Sequence, residues 1–476
     1  MKISELRALQ NAINGEVLWE DEILDYYSCD ASFYQIKPKL VTIPKIASDI
    51  PVIMKFAKNN NLSVTPRGGG TGLVGGALND GIILDLQKFN KIKASKNYVT
   101  VGAGVHKGQL DIVLRKQGKF LGPNPSVGPY CTIGGMIATN ASGSHSLKYG
   151  SVIDNLLEVT IINGRGEIIR LPSKMKICNS VLYLAHSIEK NDYPRVSKNS
   201  CGYRLDAVTN RNDLHKIIAG SEGTLGVIIS AKLKIYREPK NKILSILGYE
   251  SISKAVSDCL SLVKLNPSAL EFVDNNTMKN FEVKFPDSVA CLLFIEFDSE
   301  TRKNLELLKK NCTGRLLKTI NHKKSITKWW KYRNSALYFS LRNLSKGESL
   351  PHIIEDAAVP IEKLGKLILL AQKISKKFQA KLVMYGHAGN GNIHIRLASK
   401  NNSKKLTTDL SRVFFDEVIK MGGTITGEHG DGIARTKFVK LQYGTQNYSL
   451  FIRLKKEFDP DLILNPGKIV KSLIQG

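Results

Sequence analysis

The run Pro66–Ala77, PRGGGTGLVGGA, constrains the fold of this chain more than any other feature, with six glycines among residues 67–77. Within it, Gly70-Thr71-Gly72-Leu73-Val74-Gly75 satisfies G-x-G-x-x-G, the pattern of a dinucleotide-binding turn. That turn must open a helix whose N-terminus faces a pyrophosphate. Here Gly75 is followed by Gly76-Ala77-Leu78-Asn79-Asp80-Gly81 and at once by the strand-like run Ile82–Leu86, so no helix fits. What remains is a loop joining two strands, whose uncrowded backbone can aim several N–H groups at one pair of phosphates. A flexible hairpin connection is the plainer alternative. A second segment, Thr132–Gly143 (TIGGMIATNASG), has a similar density of small residues and donors and argues against it.

The 476 residues exceed one ordinary core, so two or three domains are expected. From Val41 to Val101 an extended segment, an amphipathic helix over Ala47–Asn60, the strand LSVTP, the glycine run and the strand GIILDL follow one another. A second unit, from Val99 to about Glu238, opens on VTVGAGV and a helix over Lys107–Gln117. It then passes a Gly/Pro/Ser/Asn-rich stretch, Gly122–Gly150, and ends on β-rich runs. The polar segment REPKN, Arg237–Asn241, marks a boundary, placing one domain over residues 1–240 and a second over 241–476. Beyond it, strand-then-helix rhythms predict an antiparallel sheet covered by helices. The fold class is α+β.

Seven cysteines stand singly with no C-x-x-C pair, which argues against a disulfide framework, a zinc ribbon or an internal iron–sulfur cluster. Electrons collected by such a chain would leave to another molecule. The net charge of +27 would suit a polyanion, but the lysines are spread along the chain and no basic block is interleaved with aromatics, so nucleic acid is not expected as a partner. The N-terminus carries Lys2, Glu5 and Arg7 where a signal peptide would be apolar, and no run is long enough to span a bilayer. A cytoplasmic protein is expected, with a weak dock onto the inner face of an anionic membrane left open, as is a homodimer.

Three of the nine histidines fall in two short motifs, GHAGNGNIHIR (386–396) and GGTITGEHGDG (422–432). The first sets His387 and His394 seven residues apart across a Gly-Asn-Gly-Asn turn; the second sets a carboxylate, Glu428, beside His429. A loop could fold both imidazoles and a carboxylate onto one divalent cation while leaving a position open. Spacing alone leaves a hydrogen-bonded turn as the alternative.

Three segments, PRGGGTGLVGGA, then PNPSVGPYCTIGGMIATNASGSHSLKYG, then GSEGTLGVI at 220–228, resemble in order the FAD-contacting segments of the PCMH-type (vanillyl-alcohol oxidase) flavoproteins. The likeness is closest to the branch of D-lactate, glycolate and D-2-hydroxyglutarate dehydrogenases, and it runs from about Asp30 to Val470. It implies a two-subdomain FAD-binding domain and a cap inserted from about Lys242 to Gly423, with residues 424–476, including Asn465-Pro466-Gly467-Lys468-Ile469, returning to the flavin domain. It also implies FAD-dependent oxidation of a small D-2-hydroxy acid to the 2-oxo acid, with hydride passing to flavin N5. A flavin-dependent non-redox transferase of the alkyl-glycerone-phosphate synthase type is the alternative.

By the same resemblance, Arg67, Gly68, Gly69, Gly70, Thr71, Leu73, Val74 and Gly75 wrap the pyrophosphate. Pro125, Thr132, Gly134, Gly135, Asn140, Ala141, Ser142 and Gly143 line the flavin and ribityl chain, and Glu222 and Ile228 sit near the adenine half or the ribityl end. Some relatives attach the flavin through a histidine in the phosphate loop. This loop has none, so the FAD is expected to be non-covalent. The motifs H-x6-H and E-H-G imply His387, His394 and Glu428 as ligands of zinc, manganese or iron, and His429 as catalytic base. Relatives show Asp where Asn390 stands, which bears on turn electrostatics rather than on the ligands.

A metal on the C2 hydroxyl lowers its pKa, and a neutral imidazole can then take the proton. Trp330-Lys331-Tyr332-Arg333 resembles the family's W-x-x-R element, making Arg333 the expected fork for the substrate carboxylate. Arg396, where 2-hydroxyglutarate dehydrogenases tend to carry Asn, points to a second anionic contact or a different acid. Asp356 matches a D-x-x-x-P segment expected at the rim. The electron acceptor would be a quinone, an electron-transfer flavoprotein, a cytochrome or an iron–sulfur subunit.

Overall fold

The computed structural model describes residues 2–350, 354–400 and 404–471, with the side chains of 404–406 outside the description. Its first sheet has four strands in the spatial order Glu16–Leu18, Leu40–Ile43, Ile82–Asp85, Val64–Arg67. The last three are parallel and the first runs against them. Leu40, Val41, Val64, Ile82, Ile83 and Leu84 are fully buried, the continuous apolar reading that parallel strands show when both faces are covered.

Parallel neighbours cannot be joined by a hairpin and need a long crossover. Between Val64–Arg67 and Ile82–Asp85 that crossover is the glycine run itself, residues 68–81, with no helix in it. The hairpin alternative is therefore excluded by strand direction. The expected helices at 47–60 and 107–117 form as Asp49–Asn59 and Lys107–Arg115.

The second sheet is antiparallel, ordered Ile92–Ala94, Tyr98–Gly102, Val227–Lys234, Leu156–Ile162, Ile168–Leu171. Its central pair carries a bulge between Ile228 and Ser230, the kind of irregularity that re-aims a side chain beside a site. The Gly122–Gly150 stretch contains two short helices that composition hides, Ile133–Ala138 and Ser146–Tyr149. Thr132 caps the first by accepting from the Gly135 amide, which offsets the poor helix propensity of the paired glycines.

The cap holds a six-stranded antiparallel sheet ordered Arg315–Ile320, Ile243–Tyr249, Cys291–Phe297, Ala269–Asp274, Lys381–His387, Asn392–Ala398. Helices Ile252–Leu262, Thr301–Asn311 and Leu364–Lys377 accompany it; the first and last bury an apolar stripe, while Thr301–Asn311 buries Leu308 and Asn304. Helix Lys323–Asn334 packs with a separate aromatic cluster that includes Phe294, Trp329 and Trp330. A long C-terminal helix, Gly432–Phe458, bends at Gly444, whose φ is 69°. The chain then runs back to the first sheet, where the Val64 amide donates to Ile463 O at 2.7 Å and the Asn465 amide donates to Val64 O at 2.9 Å. Among the described residues no helix is long and apolar enough to cross a membrane.

Candidate active site

One cleft, enclosing roughly 1700 Å³ with its open mouth included, runs from the glycine crossover to the far end of the cap sheet. Of the residues expected at a flavin, Arg67, Gly68, Gly69, Gly70, Thr71, Leu73, Val74, Pro125, Thr132, Gly134, Gly135, Ala141, Ser142, Gly143, Glu222 and Ile228 line it. Among the described residues, no backbone amide from residue 68 to residue 77 donates a hydrogen bond within the chain. Backbone donors left together in this way need an outside acceptor, and a pyrophosphate supplies several at once. A Cβ on Gly68 would collide with Thr132 Oγ1, and one on Gly69 with the Tyr130 carbonyl, so the two glycine-rich segments approach as only glycine allows.

Two expected residues stand outside the cleft lining. Gly75, at φ 73°, faces Ile433 and Tyr34. Asn140, at φ 50°, is buried; its side chain donates to Asn199 O at 3.1 Å and accepts from the Ile153 amide at 2.9 Å, bracing the loop from behind. Arg67 touches the cleft, but its guanidinium donates to the carbonyls of Tyr27 and Cys29, fastening the N-terminal segment. Glu222 lines the cleft and accepts from the amides of Asp431 and Gly432 at 2.6 and 2.9 Å, joining the third flavin segment to the start of the C-terminal helix. Burial pushes its carboxyl up to about 8.

The strands Lys381–His387 and Asn392–Ala398 pair so that the turn between them brings His387 and His394 together. Glu428 Oε1 lies 3.1 Å from His387 Nε2 and 3.2 Å from His394 Nε2. Ligand atoms roughly 2.0–2.1 Å from a common divalent ion sit about 3.0–3.4 Å apart, so these three donors suit one metal. The other oxygen, Oε2, accepts from Ser142 Oγ at 2.7 Å and from Lys198 Nζ at 3.1 Å. Burial alone would raise the Glu428 carboxyl, but Lys198, then His387 and His394, hold it well below the ordinary carboxylate range. It therefore presents one fixed anionic oxygen to the two imidazoles.

His387 is oriented from behind by Glu271, whose Oε1 lies 2.8 Å from Nδ1, the carboxylate–histidine arrangement typical of metal ligands. The same Glu271 pairs through Oε2 with Arg333 Nε at 2.6 Å. Arg333, expected to hold a substrate carboxylate, lines the cleft over the Tyr385 ring, 5.7 Å from its centroid. Arg396 also lines it, donating from Nε to Tyr385 Oη at 2.9 Å. The two guanidinium groups thus flank one tyrosine.

His429 stacks on His394 with ring centroids 5.2 Å apart, and its Nδ1 lies 3.0 Å from Glu355 Oε1. Glu355 is clamped in turn by Arg435 at 2.7 Å. Burial works to lower the His429 pKa, yet Asp356 and Glu355 push it up to about 9. Asp356 is not at the rim: it is fully buried, and its Oδ2 accepts from the amides of Glu428 and His429 at 3.0 and 2.9 Å and from Thr426 Oγ1 at 2.6 Å. It shapes the loop that presents both residues.

Sequence reasoning missed Glu271, Lys198, Glu355 and Arg435. Glu271 had a readable signal, a carboxylate flanked by Leu270 and Phe272 in the middle of the strand ALEFVD, which a buried strand tolerates only when the charge is paired. Lys198 had none, because its partner is distant in sequence.

Residues 38–172 match the family described as FAD binding domain, and residues 238–469 match FAD linked oxidases, C-terminal domain. The glycolate oxidase subunit GlcD of Bacillus subtilis is 30% identical over 93% of this chain and 91% of its own. A D-lactate dehydrogenase of Anaerostipes hadrus is 28% identical over 96% and 95%. A D-2-hydroxyglutarate dehydrogenase of Escherichia coli is 30% identical over 93% of this chain but 49% of its own length. A solved alkyldihydroxyacetonephosphate synthase superposes with a TM-score of 0.70 at 20% identity, over 98% of this chain and 86% of that one, which shows a shared fold. The chain belongs to the FAD-linked oxidase family and is an FAD-dependent oxidoreductase.

Proposed function

We propose that the chain oxidises a small D-2-hydroxy acid to the 2-oxo acid and passes the electrons to a separate acceptor. The observation that carries this reading is the convergence, in the cleft lined by the phosphate loop, of a three-donor metal set, a carboxylate-backed histidine and two arginines. That set matches the demands of oxidising a carbon that bears a hydroxyl next to a carboxylate. Arg333, with Arg396 as a second contact, takes the acid group in a charge-assisted fork. In its unprotonated form His429 accepts the hydroxyl proton on Nε2, while Glu355 on Nδ1 fixes the ring and stabilises the protonated form that results.

Bound FAD supplies the acceptor for the C2 hydride. A divalent ion, for which His387, His394 and Glu428 are the fitting ligands, would lower the pKa of the hydroxyl. Because the cysteines are unpaired and none belongs to a metal-capable group among the described residues, a quinone, an electron-transfer flavoprotein, a cytochrome or an iron–sulfur partner is the acceptor class expected. Named relatives act on, or are named for, glycolate, D-lactate and D-2-hydroxyglutarate, and these are the substrates to try first.

The alternative, a flavin-dependent transferase without net redox, is supported by fold likeness alone and leaves the metal donors without a task. Profiling a panel of 2-hydroxy acids with an artificial dye acceptor, and identifying the product, tests the choice. Formation of a 2-oxo acid from the D series or from glycolate supports the proposal; turnover of the L series alone, or of none of the panel, by metal-replete, FAD-loaded protein overturns it.

A further inference from the structure

Glu296 lies within the cap strand Cys291–Phe297, is 1% exposed, and has no part in the chemistry above. A buried carboxylate persists only when both oxygens are hydrogen-bonded. Oε1 lies 3.0 Å from His145 Nε2 and accepts from Ser268 Oγ at 3.0 Å; Oε2 accepts from the Trp330 indole Nε1 at 2.7 Å. The partners come from opposite halves of the molecule. His145 directly follows Gly143 and Ser144, both of which line the cleft on the flavin side. Trp330 is on helix Lys323–Asn334, three residues before Arg333. The His145 and Trp330 rings also touch, with centroids 5.2 Å apart.

Lys148 and Tyr149, from the same segment as His145, both reach Asp298 at the end of that cap strand. Those two contacts fasten the segment to the strand, whereas the contact through His145 continues into the helix that carries the arginine. Residues three apart share a helix face, so a shift of Trp330 carries Arg333 with it. Arg333 in turn meets Glu271, which holds His387. Buried contacts, relayed between Trp330 and Arg333 by one turn of that helix, thus join the cofactor segment to the arginine proposed to bind the acid.

We propose that His145 is a positioning residue that sets the Arg333 helix against the cofactor segment through Glu296 and Trp330, so that filling the flavin end of the cleft readies Arg333 for the acid. Coupling between the two ends is reciprocal, as any linkage of binding free energies must be. The kinetic half of the test rests on the 2-hydroxy-acid reading; the exchange half does not.

The full chain is compared with and without FAD by hydrogen–deuterium exchange over residues 323–334, for wild type, His145→Ala, His145→Gln and Trp330→Phe. FAD is expected to slow exchange in this helix in wild type. In His145→Ala, FAD should still bind but no longer slow exchange, and His145→Gln, whose amide can donate to Glu296, should restore the effect. With an acid that reduces the wild-type flavin, His145→Ala should raise KM roughly tenfold with kcat and flavin content close to wild type. An equal FAD-dependent slowing in wild type and His145→Ala, or an unchanged KM beside a lowered melting temperature, would overturn the proposal. If no 2-hydroxy acid reduces the wild-type flavin, the functional reading fails while the exchange comparison still decides the positioning role. Should His145→Ala not fold, Trp330→Phe keeps a ring in place, removes the indole N–H, and carries the same test.

Discussion

Glu271 accepts a 2.6 Å hydrogen bond from Nε of Arg333 at a point where the two side chains are 1% and 4% exposed. Its second oxygen meets His387 Nδ1 at 2.8 Å, so one carboxylate serves both the arginine proposed to bind the acid and a proposed metal ligand. Replacing it by Leu leaves a guanidinium buried without its partner and frees the imidazole to turn. Glu271→Leu should weaken metal affinity about 10- to 100-fold and raise KM for the acid as well. Metal content after dialysis, read beside steady-state kinetics, checks both effects; Glu271→Gln, which keeps an acceptor for His387, should spare the metal more than the KM.

The proposed metal donors come from the cap strands and the Glu428 loop, whereas the phosphate loop joins two strands of the first sheet. Chelation followed by dialysis should therefore lower turnover by about a hundredfold or more, the scale of losing Lewis-acid help at the hydroxyl. The flavin absorbance should stay with the protein, and added divalent metal should restore the rate. Elemental analysis of the purified protein identifies which ion it carries.

Gly68 packs so tightly on Thr132 that any Cβ must displace the threonine hydroxyl or the loop. Gly68→Val should yield protein that has lost most of its flavin, measured as the ratio of visible to ultraviolet absorbance. Since residues 66–77 contain no histidine, acid precipitation of the wild type should leave the flavin in the supernatant.

Burial opposes ionisation of Glu296, but His145 and Lys242, with the Trp330 hydrogen bond, hold its carboxyl down to about 2, against 4.5 for the ordinary group. A carboxyl depressed on folding contributes stability that is present above the unfolded pKa and is lost as pH falls through the folded one. The melting temperature of wild type should therefore drop between about pH 4.5 and pH 2 more steeply than that of Glu296→Gln. Thermal unfolding followed across that range by circular dichroism makes the comparison.

Local pattern made much of this molecule readable. The strand Ile82–Asp85 follows the glycine run too closely for a helix, and the two imidazoles of H-x6-H meet because a tight turn joins paired strands. What local pattern hid was non-local. The parallel pairing of Val64–Arg67 with Ile82–Asp85 depends on strands that close the sheet from elsewhere in the chain. Asp356 was expected at the rim because its D-x-x-x-P segment matches one that the resemblance places there, whereas its burial comes from the Glu428–His429 loop folding over it. Gly75 and Asn140 belong to the expected cofactor segments yet stand outside the cleft lining, where the Asn140 side chain braces the loop from behind. Lys198 was invisible because nothing in its sequence neighbourhood foretells a carboxylate at 428.

The central claim is that this flavin is reduced by a 2-hydroxy acid through the groups gathered at Glu428. The most direct measurement is anaerobic mixing of FAD-loaded, metal-replete protein with D-lactate, glycolate and D-2-hydroxyglutarate, followed by the visible absorbance of the oxidised flavin. At least one acid should bleach it within seconds in wild type, and at least about a hundredfold more slowly in His429→Ala, as expected on removing a positioned base. Full retention of the oxidised spectrum with every 2-hydroxy acid tried, or bleaching as fast in His429→Ala as in wild type, would contradict the account.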